Sequence, residues 1–309
     1  MQVTKFFQIQ TDSSSMLRVI KLLVYLDWEI MSVLMENIAF GEGPRWKNGN
    51  LWFSDMHSQQ VIKLAPTGSW EIVVALQDDQ PSGLGWLPDG DLLIVSMQKR
   101  QILRFNGKDL LVHADLSQMA SYHCNDMVTG PFGRCYVGNF GFDLHNGAEP
   151  KPGELIRVDI DGSMHLMEGD LNFPNGAVIT ADGQTLVVAE TFAGVLTAFD
   201  IGANGDLQNR REWAKLPNNA LPDGICLDSN DGIWVASPTT NECIRLSEGG
   251  EITHRIKTDR GAFACMIGEE RLYVCTSKAS NPVICMAERN ARIEFYPAPY
   301  PAAGYPHSG

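Results

Sequence analysis

Short β-rich runs of mostly apolar residues, set between polar turns, fill most of the chain, and they return in a fixed order. A small or turn-forming residue opens each unit, a polar turn follows, and a β-rich stretch closes it. Six units begin at Gly43 (GPRWKNGNLWFSDM), Gly83 (GLGWLPDGDLLIVSM), Asp126 (DMVTGPFGRCYVGNF), Gly176 (GAVITADGQTLVVAE), Gly224 (GICLDSNDGIWVAS) and Ala264 (ACMIGEERLYVCTS). By subtraction, successive starts lie 40, 43, 50, 48 and 40 residues apart. A period of roughly 40–50 residues with two visible strands per unit is the spacing of a β-propeller blade. The expected fold is all-β: a six-bladed β-propeller with four-stranded antiparallel blades.

Within the first unit, Asn48-Gly49 makes a turn between strands, because both residues tolerate positive φ. Strands are expected at 51–53, 61–64 and 70–76, then at 92–97, 101–105 and 110–113 in the second unit. The third unit carries a longer insertion, GFDLHNGAEPKPG, ahead of a strand at 154–159. Insertions of this kind sit in loops on one rim, often the binding rim. Residues 1–35 lack the repeat and are expected to be an N-terminal extension outside the fold. Their apolar part is broken by Arg18, Lys21, Asp27 and Glu29, well short of the roughly 20 residues a membrane span needs. Residues 36–296 form the propeller, and 297–309 are a Pro- and Gly-rich tail expected outside it. Ring closure is expected to pair 292–295 with a blade near the N-terminus.

Bulk composition narrows the possible partners. Of 309 residues, 44% are apolar and 20% charged, ordinary for a globular protein. A net charge of −13 repels phosphate backbones and argues against nucleic acid. It suits cations and neutral small molecules. Seven cysteines without a C-x-x-C pair read as buried, reduced thiols of a cytoplasmic protein. A monomer or homodimer without membrane attachment is expected.

The candidate chemistry lies one residue before each unit start. That slot holds Glu42, Ser82, Asn125, Asn175, Asp223 and Phe263. Inner strands of a propeller line its central channel, so these positions converge although distant in sequence. Two carboxylates there repel and raise each other's pKa unless a cation lies between them. Carboxylate and amide oxygens are hard ligands suited to Ca2+, Mg2+ or Mn2+. No His or Cys occupies the slot. By contrast, Asp89 of Pro88-Asp89-Gly90 falls inside a later turn and is structural. His123 stands two places before Asn125 and could face the channel mouth, and Asp143 and His145 on the insertion could reach the rim. Trp46, Trp52, Trp86 and Trp234 fit blade packing. No Gly-x-Ser-x-Gly, phosphate loop or dinucleotide fingerprint is present.

GEGPRW (41–46), NDMVTGPFGR (125–134), FPNG (173–176), LPDG (221–224) and IWVAS (233–237) together resemble the SMP-30/gluconolactonase/luciferin-regenerating family over about residues 36–295. The resemblance implies one divalent metal, usually Ca2+ and sometimes Zn2+ or Mn2+, held by Glu42, Asn175 and Asp223. It implies that Asn125 contacts substrate or completes the ligand shell, and that Asp223 is the general base. The activity implied is opening of a lactone, or more broadly an ester. Animal gluconolactonases carry an Arg where this chain has His123, so the lactone here need not be that of a sugar acid. A phosphotriester hydrolase on the same site and a non-catalytic calcium-binding propeller are the rival readings.

Overall fold

The computed structural model describes residues 31–217 and 219–306. An outer strand, β1 (Ser32–Ile38), comes first in the chain. Blade 1 follows as β2 (Gly41–Lys47), β3 (Asn50–Asp55), β4 (Gln60–Leu64) and β5 (Trp70–Ala75). Blade 2 is β6 (Pro81–Trp86), β7 (Leu92–Ser96), β8 (Gln101–Phe105) and β9 (Leu110–Asp115). Blade 3 is β10 (Cys124–Thr129), β11 (Cys135–Asn139), β12 (Gly153–Val158) and β13 (Met164–Leu171). Blade 4 is β14 (Pro174–Ile179), β15 (Thr185–Glu190), β16 (Val195–Ile201) and β17 (Leu207–Lys215). Blade 5 is β18 (Ile225–Leu227), β19 (Ile233–Ser237), β20 (Glu242–Leu246) and β21 (Ile252–Lys257). Blade 6 is β22 (Gly261–Gly268), β23 (Arg271–Ser277) and β24 (Ala291–Pro297), with helix α1 (Pro282–Glu288) between the last two.

Each blade is a four-stranded antiparallel sheet ordered from the channel outwards, so the protein is a six-bladed β-propeller. Turn chemistry sets the hairpins: Asn48 and Gly49 both take positive φ (50° and 70°) between β2 and β3, as a two-residue hairpin turn requires. The four tryptophans pack blades. Trp234 is fully buried, and Trp46 of blade 1 stacks on Tyr273 of blade 6 at 5.3 Å. Trp52 and Trp86 meet edge-on at 5.5 Å across blades 1 and 2.

Two boundary expectations are corrected. Strand β1 starts at Ser32, inside the stretch expected to lie outside the fold. It pairs with β24 and completes the last blade rather than a blade near the N-terminus. The reason is geometric: without β1, the β24 edge would present unpaired backbone groups, and a ring is locked by mixing chain ends in one sheet. The rest of the expected extension lies outside the described residues. The tail is also part of the fold as far as it is described. Tyr305 bridges Ile179 and Ala302 bridges Asp228, so the segment runs under blades 4 and 5 at the far end of the channel. All seven cysteines are buried and free, as expected. Among the described residues, no helix is long and apolar enough to cross a membrane.

Candidate functional site

The slot residues sit where the inner strand loses register with its neighbour. Register shifts fall between Glu42 and Arg45, Pro81 and Leu84, Cys124 and Met127, Pro174 and Ala177, and Ala262 and Ala264. A bulge of this kind re-aims side chains and is common beside functional sites. In blade 5, Asp223 precedes β18 and is held by its own N–H, which donates to the Ala236 carbonyl at 3.0 Å.

Small residues after the slot let neighbouring blades close around the channel. A Cβ on Gly43 would lie 2.6 Å from the Ser82 carbonyl oxygen, and one on Gly176 would lie 2.7 Å from that of Asp223. The repeat start is therefore small because the next blade's slot backbone presses against it.

Carboxylates at the ends of the second strands pin the entering loops. Asp55 accepts the backbone N–H groups of Ala39 and Phe40 at 3.1 and 2.9 Å, setting the approach to Glu42. Glu190 accepts the Asn172 N–H at 2.8 Å, setting the approach to Asn175. Thr191 then joins two slots. Its hydroxyl donates to the Pro222 carbonyl at 2.8 Å and accepts from the Asn175 amide at 3.3 Å.

Glu42, Asn125, Asn175 and Asp223 are all buried, between 5% and 8% exposed. Burial pushes the Glu42 carboxyl well above the usual carboxylate range, and the Asp223 and Asp126 charges push the same way. Burial likewise raises Asp223; its hydrogen bond with Asn175 opposes this, and the Asp126 charge adds to it. Asn125 donates to the Pro174 carbonyl at 3.3 Å, beside Asn175. These four residues from four blades therefore form one connected group.

Two residues of this neighbourhood were not among the sequence candidates. Asp126 is a third buried carboxylate, and Arg45 is buried with it in an ion pair of 2.5 Å. The Arg45 guanidinium also donates to the Leu84 and Met127 carbonyls at 2.9 and 2.6 Å, tying blades 1, 2 and 3 together. A signal existed, because Asp126 stands at a repeat start where four of the other units have glycine.

The charge balance of this group is the test of whether a cation fits. Arg45 is ion-paired with Asp126 and reaches Glu42 only as the last of the influences on its pKa, which leaves Glu42 and Asp223 as two buried carboxyls without an ion pair of their own. Buried charges need pairing or coordination, and a divalent cation supplies that balance. Among the described residues, no three His, Cys, Asp or Glu side chains converge to hold an ion by themselves. An ion between these two acids would therefore need amide oxygens, which Asn175 and Asn125 provide. The residues present fit a hard dication.

His123 is half-buried at the rim, stacked on Tyr122 with ring centres 4.2 Å apart. Burial lowers its pKa, as does His145 nearby. Asp143 accepts from the Asn146 side chain at 2.8 Å and also hydrogen-bonds Tyr122, the ring stacked on His123. Asp89 pairs with Arg104 at 2.7 Å in a turn, as its place in the repeat indicated. Two clefts on the opposite face flank Tyr305 and are lined by turn residues such as Gly130 and Pro131; neither includes a slot acid or amide.

Six four-stranded blades define the class of protein, a six-bladed β-propeller. The family model described as "SMP-30/Gluconolactonase/LRE-like region" matches residues 40–278, and the chain belongs to that family. It is 25% identical over 264 residues to regucalcin of Gallus gallus, covering 82% of this chain and 87% of that one. It is 26% identical over 212 residues to a pentonolactonase of Haloferax volcanii, covering 67% and 69% respectively. Among solved structures, a calcium-binding protein, regucalcin, from Agrobacterium tumefaciens superposes with a TM-score of 0.71 at 20% identity, covering 88% of this chain and 96% of that one.

Proposed function

We propose that this protein is a divalent-cation-dependent hydrolase that opens a lactone. The observation that carries the reading is the pair Glu42 and Asp223, two buried carboxyls close enough for the Asp223 charge to raise the Glu42 pKa and without an ion pair of their own. Relatives named as a pentonolactonase and as a calcium-binding regucalcin support both halves of it. Glu42, Asn175 and Asp223 would hold the ion, with Ca2+ the first candidate and Mg2+, Mn2+ or Zn2+ the others. When bound, the cation supplies Lewis-acid polarisation of a carbonyl oxygen and balances charge developing on it.

The chain's own residues supply the rest. The Asp223 carboxylate accepts a proton from water as the water oxygen adds to the lactone carbonyl carbon. The ring C–O bond then breaks and the leaving oxygen takes the proton that Asp223 accepted, which gives a hydroxy acid and restores the carboxylate. Asn125 donates a hydrogen bond to the substrate, and Thr191 keeps Asn175 and the Pro222-Asp223 backbone in register.

The test combines metal analysis of the purified protein with lactone turnover. About one equivalent of a divalent ion is expected, and chelation should abolish turnover until the ion is restored. Asp223→Asn should lose about 10²–10⁴-fold in kcat, the usual weight of a general base. Protein that binds calcium and loses thermal stability on chelation, yet opens no lactone, would make the site structural and defeat the proposal.

A further inference from the structure

At the mouth of the channel opposite Glu42 the acidic character of the protein reverses. A cleft of about 320 Å3 lies between the ends of β2, β6 and β10, closed on one side by Tyr305 and Pro306. That volume is at the lower end of the range for small-molecule pockets. Among the described residues its lining holds two cations, Arg45 and Lys47, and no carboxylate, in a chain of net charge −13.

Arg45 and Lys47 stand two apart on β2, so their side chains leave the same face of the strand. Trp46 between them points the other way and stacks on Tyr273 of blade 6. Lys47 Nζ lies 5.0 Å over the Trp86 ring, and among the described residues no carboxylate pairs with it. An ammonium carries three donors, and a ring face occupies at most one of them. Arg45 is 2% exposed, and its guanidinium carries five N–H donors. Nε donates to the Leu84 carbonyl at 2.9 Å, Nη1 to that of Pro44 at 2.8 Å, and Nη2 to Asp126 and to the Met127 carbonyl. The second Nη1 hydrogen has no acceptor among the described residues. A buried donor left open is costly, and an acceptor oxygen from a ligand removes that cost.

The walls are fixed before any ligand arrives. A Cβ on Gly85 would collide with the Thr129 hydroxyl, and one on Gly133, where φ is +75°, would lie 2.7 Å from Pro88 Cδ. Blades 2 and 3 therefore close directly on one another beside the cleft. Trp52 meets Trp86 edge-on at 5.5 Å and holds that ring in place. Leu84, Leu87, Pro88 and Pro131 make the remaining surface mainly apolar. Apolar walls with a few placed donors favour an organic body carrying one anionic group over an inorganic ion.

We propose that this cleft binds a small organic carboxylate, its oxygens held by Lys47 and Arg45 and its apolar body laid against Trp86, Pro88 and Pro131. The site uses neither the slot acids nor a cation, so it stands or falls independently of the hydrolase reading. The probe is benzoate, titrated calorimetrically into the whole chain stripped of divalent ions. Saturable binding of about one equivalent is expected. Lys47→Met should weaken it by about tenfold or more, the weight of a hydrogen bond to a charged group, while Lys47→Arg should keep it. Lys63→Met removes another lysine that lies over a tryptophan, 5.7 Å from the Trp52 ring and outside the cleft, and should leave the affinity unchanged. Thermal melting of each variant separates loss of the site from loss of the fold. Cyclohexanecarboxylate should displace benzoate, and inorganic phosphate at the same concentration should not. Absence of saturable binding, equal losses in Lys47→Met and Lys63→Met, or displacement by phosphate would overturn the proposal. So would binding that appears only with added Ca2+ and survives Lys47→Met, because the carboxylate would then sit on an ion at the slot.

Discussion

Glu42 and Asp223 are acids whose pKa values are raised in the folded, cation-free protein by burial and by each other's surroundings. A carboxyl with a raised folded pKa contributes stability that is present in full below its unfolded pKa. That contribution is lost as pH rises through the folded value. In cation-stripped protein the contribution of these two carboxyls therefore falls as pH rises from about 4 toward neutrality, against the opposite trend of carboxylates with lowered pKa such as Asp159 and Glu242. Glu42→Gln should flatten that dependence, by up to about 1.4 kcal/mol per pH unit for the proton removed. Calorimetry across pH on stripped wild type and variant checks it, and parallel curves would contradict it. The same protons compete with the ion, so Ca2+ affinity should fall as pH falls, and binding should release protons into a weakly buffered solution. Losing a partner even outside a ligand shell costs about 10–100-fold in metal affinity, so Glu42→Gln should weaken binding by at least that factor. Calorimetric titration with Ca2+ measures it.

At the level of elements, the small residue after each slot sets the spacing of the inner strands. Gly176 faces the backbone of Asp223 and Gly224 and the Ile225 nitrogen, with its would-be Cβ 2.6 Å from that nitrogen. Gly176→Ala is expected to destabilise by about 1–3 kcal/mol, the usual cost of overpacking. It should also weaken Ca2+ binding, because pushing β14 and β18 apart separates Asn175 from Asp223. Gly169→Ala, at a position with open space, should change stability by less than about 0.5 kcal/mol. Urea unfolding of the two variants side by side makes the comparison. Strands were legible because a turn followed by a short apolar run, such as 92–96 or 233–237, recurs in every blade. The bulges were not, since a register shift leaves no mark in composition and arises only when two strands are laid together.

For the whole molecule, closure is the step that turns six sheets into a ring. Removing the chain up to and including Ile38 takes away β1. Burial of Ile38, 1% exposed, is worth about 1.5–3 kcal/mol on its own. At about 2–4 °C per kcal/mol for a protein near this size, Tm should fall by roughly 3–12 °C, with aggregation through the bared β24 edge. Thermal denaturation with light scattering tests both. The far end behaves differently. Ending the chain after Ala298 removes backbone hydrogen bonds from Tyr305 to Ile179 and from Ala303 to Leu227, each worth about 0.5–1.5 kcal/mol. Tm should drop, while Ca2+ affinity should hold, because the acids lie at the opposite mouth.

The order of apolar and polar residues, read alone, determined that the chain makes six similar β units and that acids and amides recur in one slot. Repetition is a property of the chain, and identical local patterns demand identical local folds. Which of those slots share a charge balance was decided only in three dimensions. Arg45 and Asp126 are 81 residues apart, and their pairing is what leaves Glu42 and Asp223 uncompensated. The place of β1 in the last blade and of the tail beneath blades 4 and 5 was settled the same way. Neither segment carries the repeat, and each finds its partner only once the ring exists to offer an open edge.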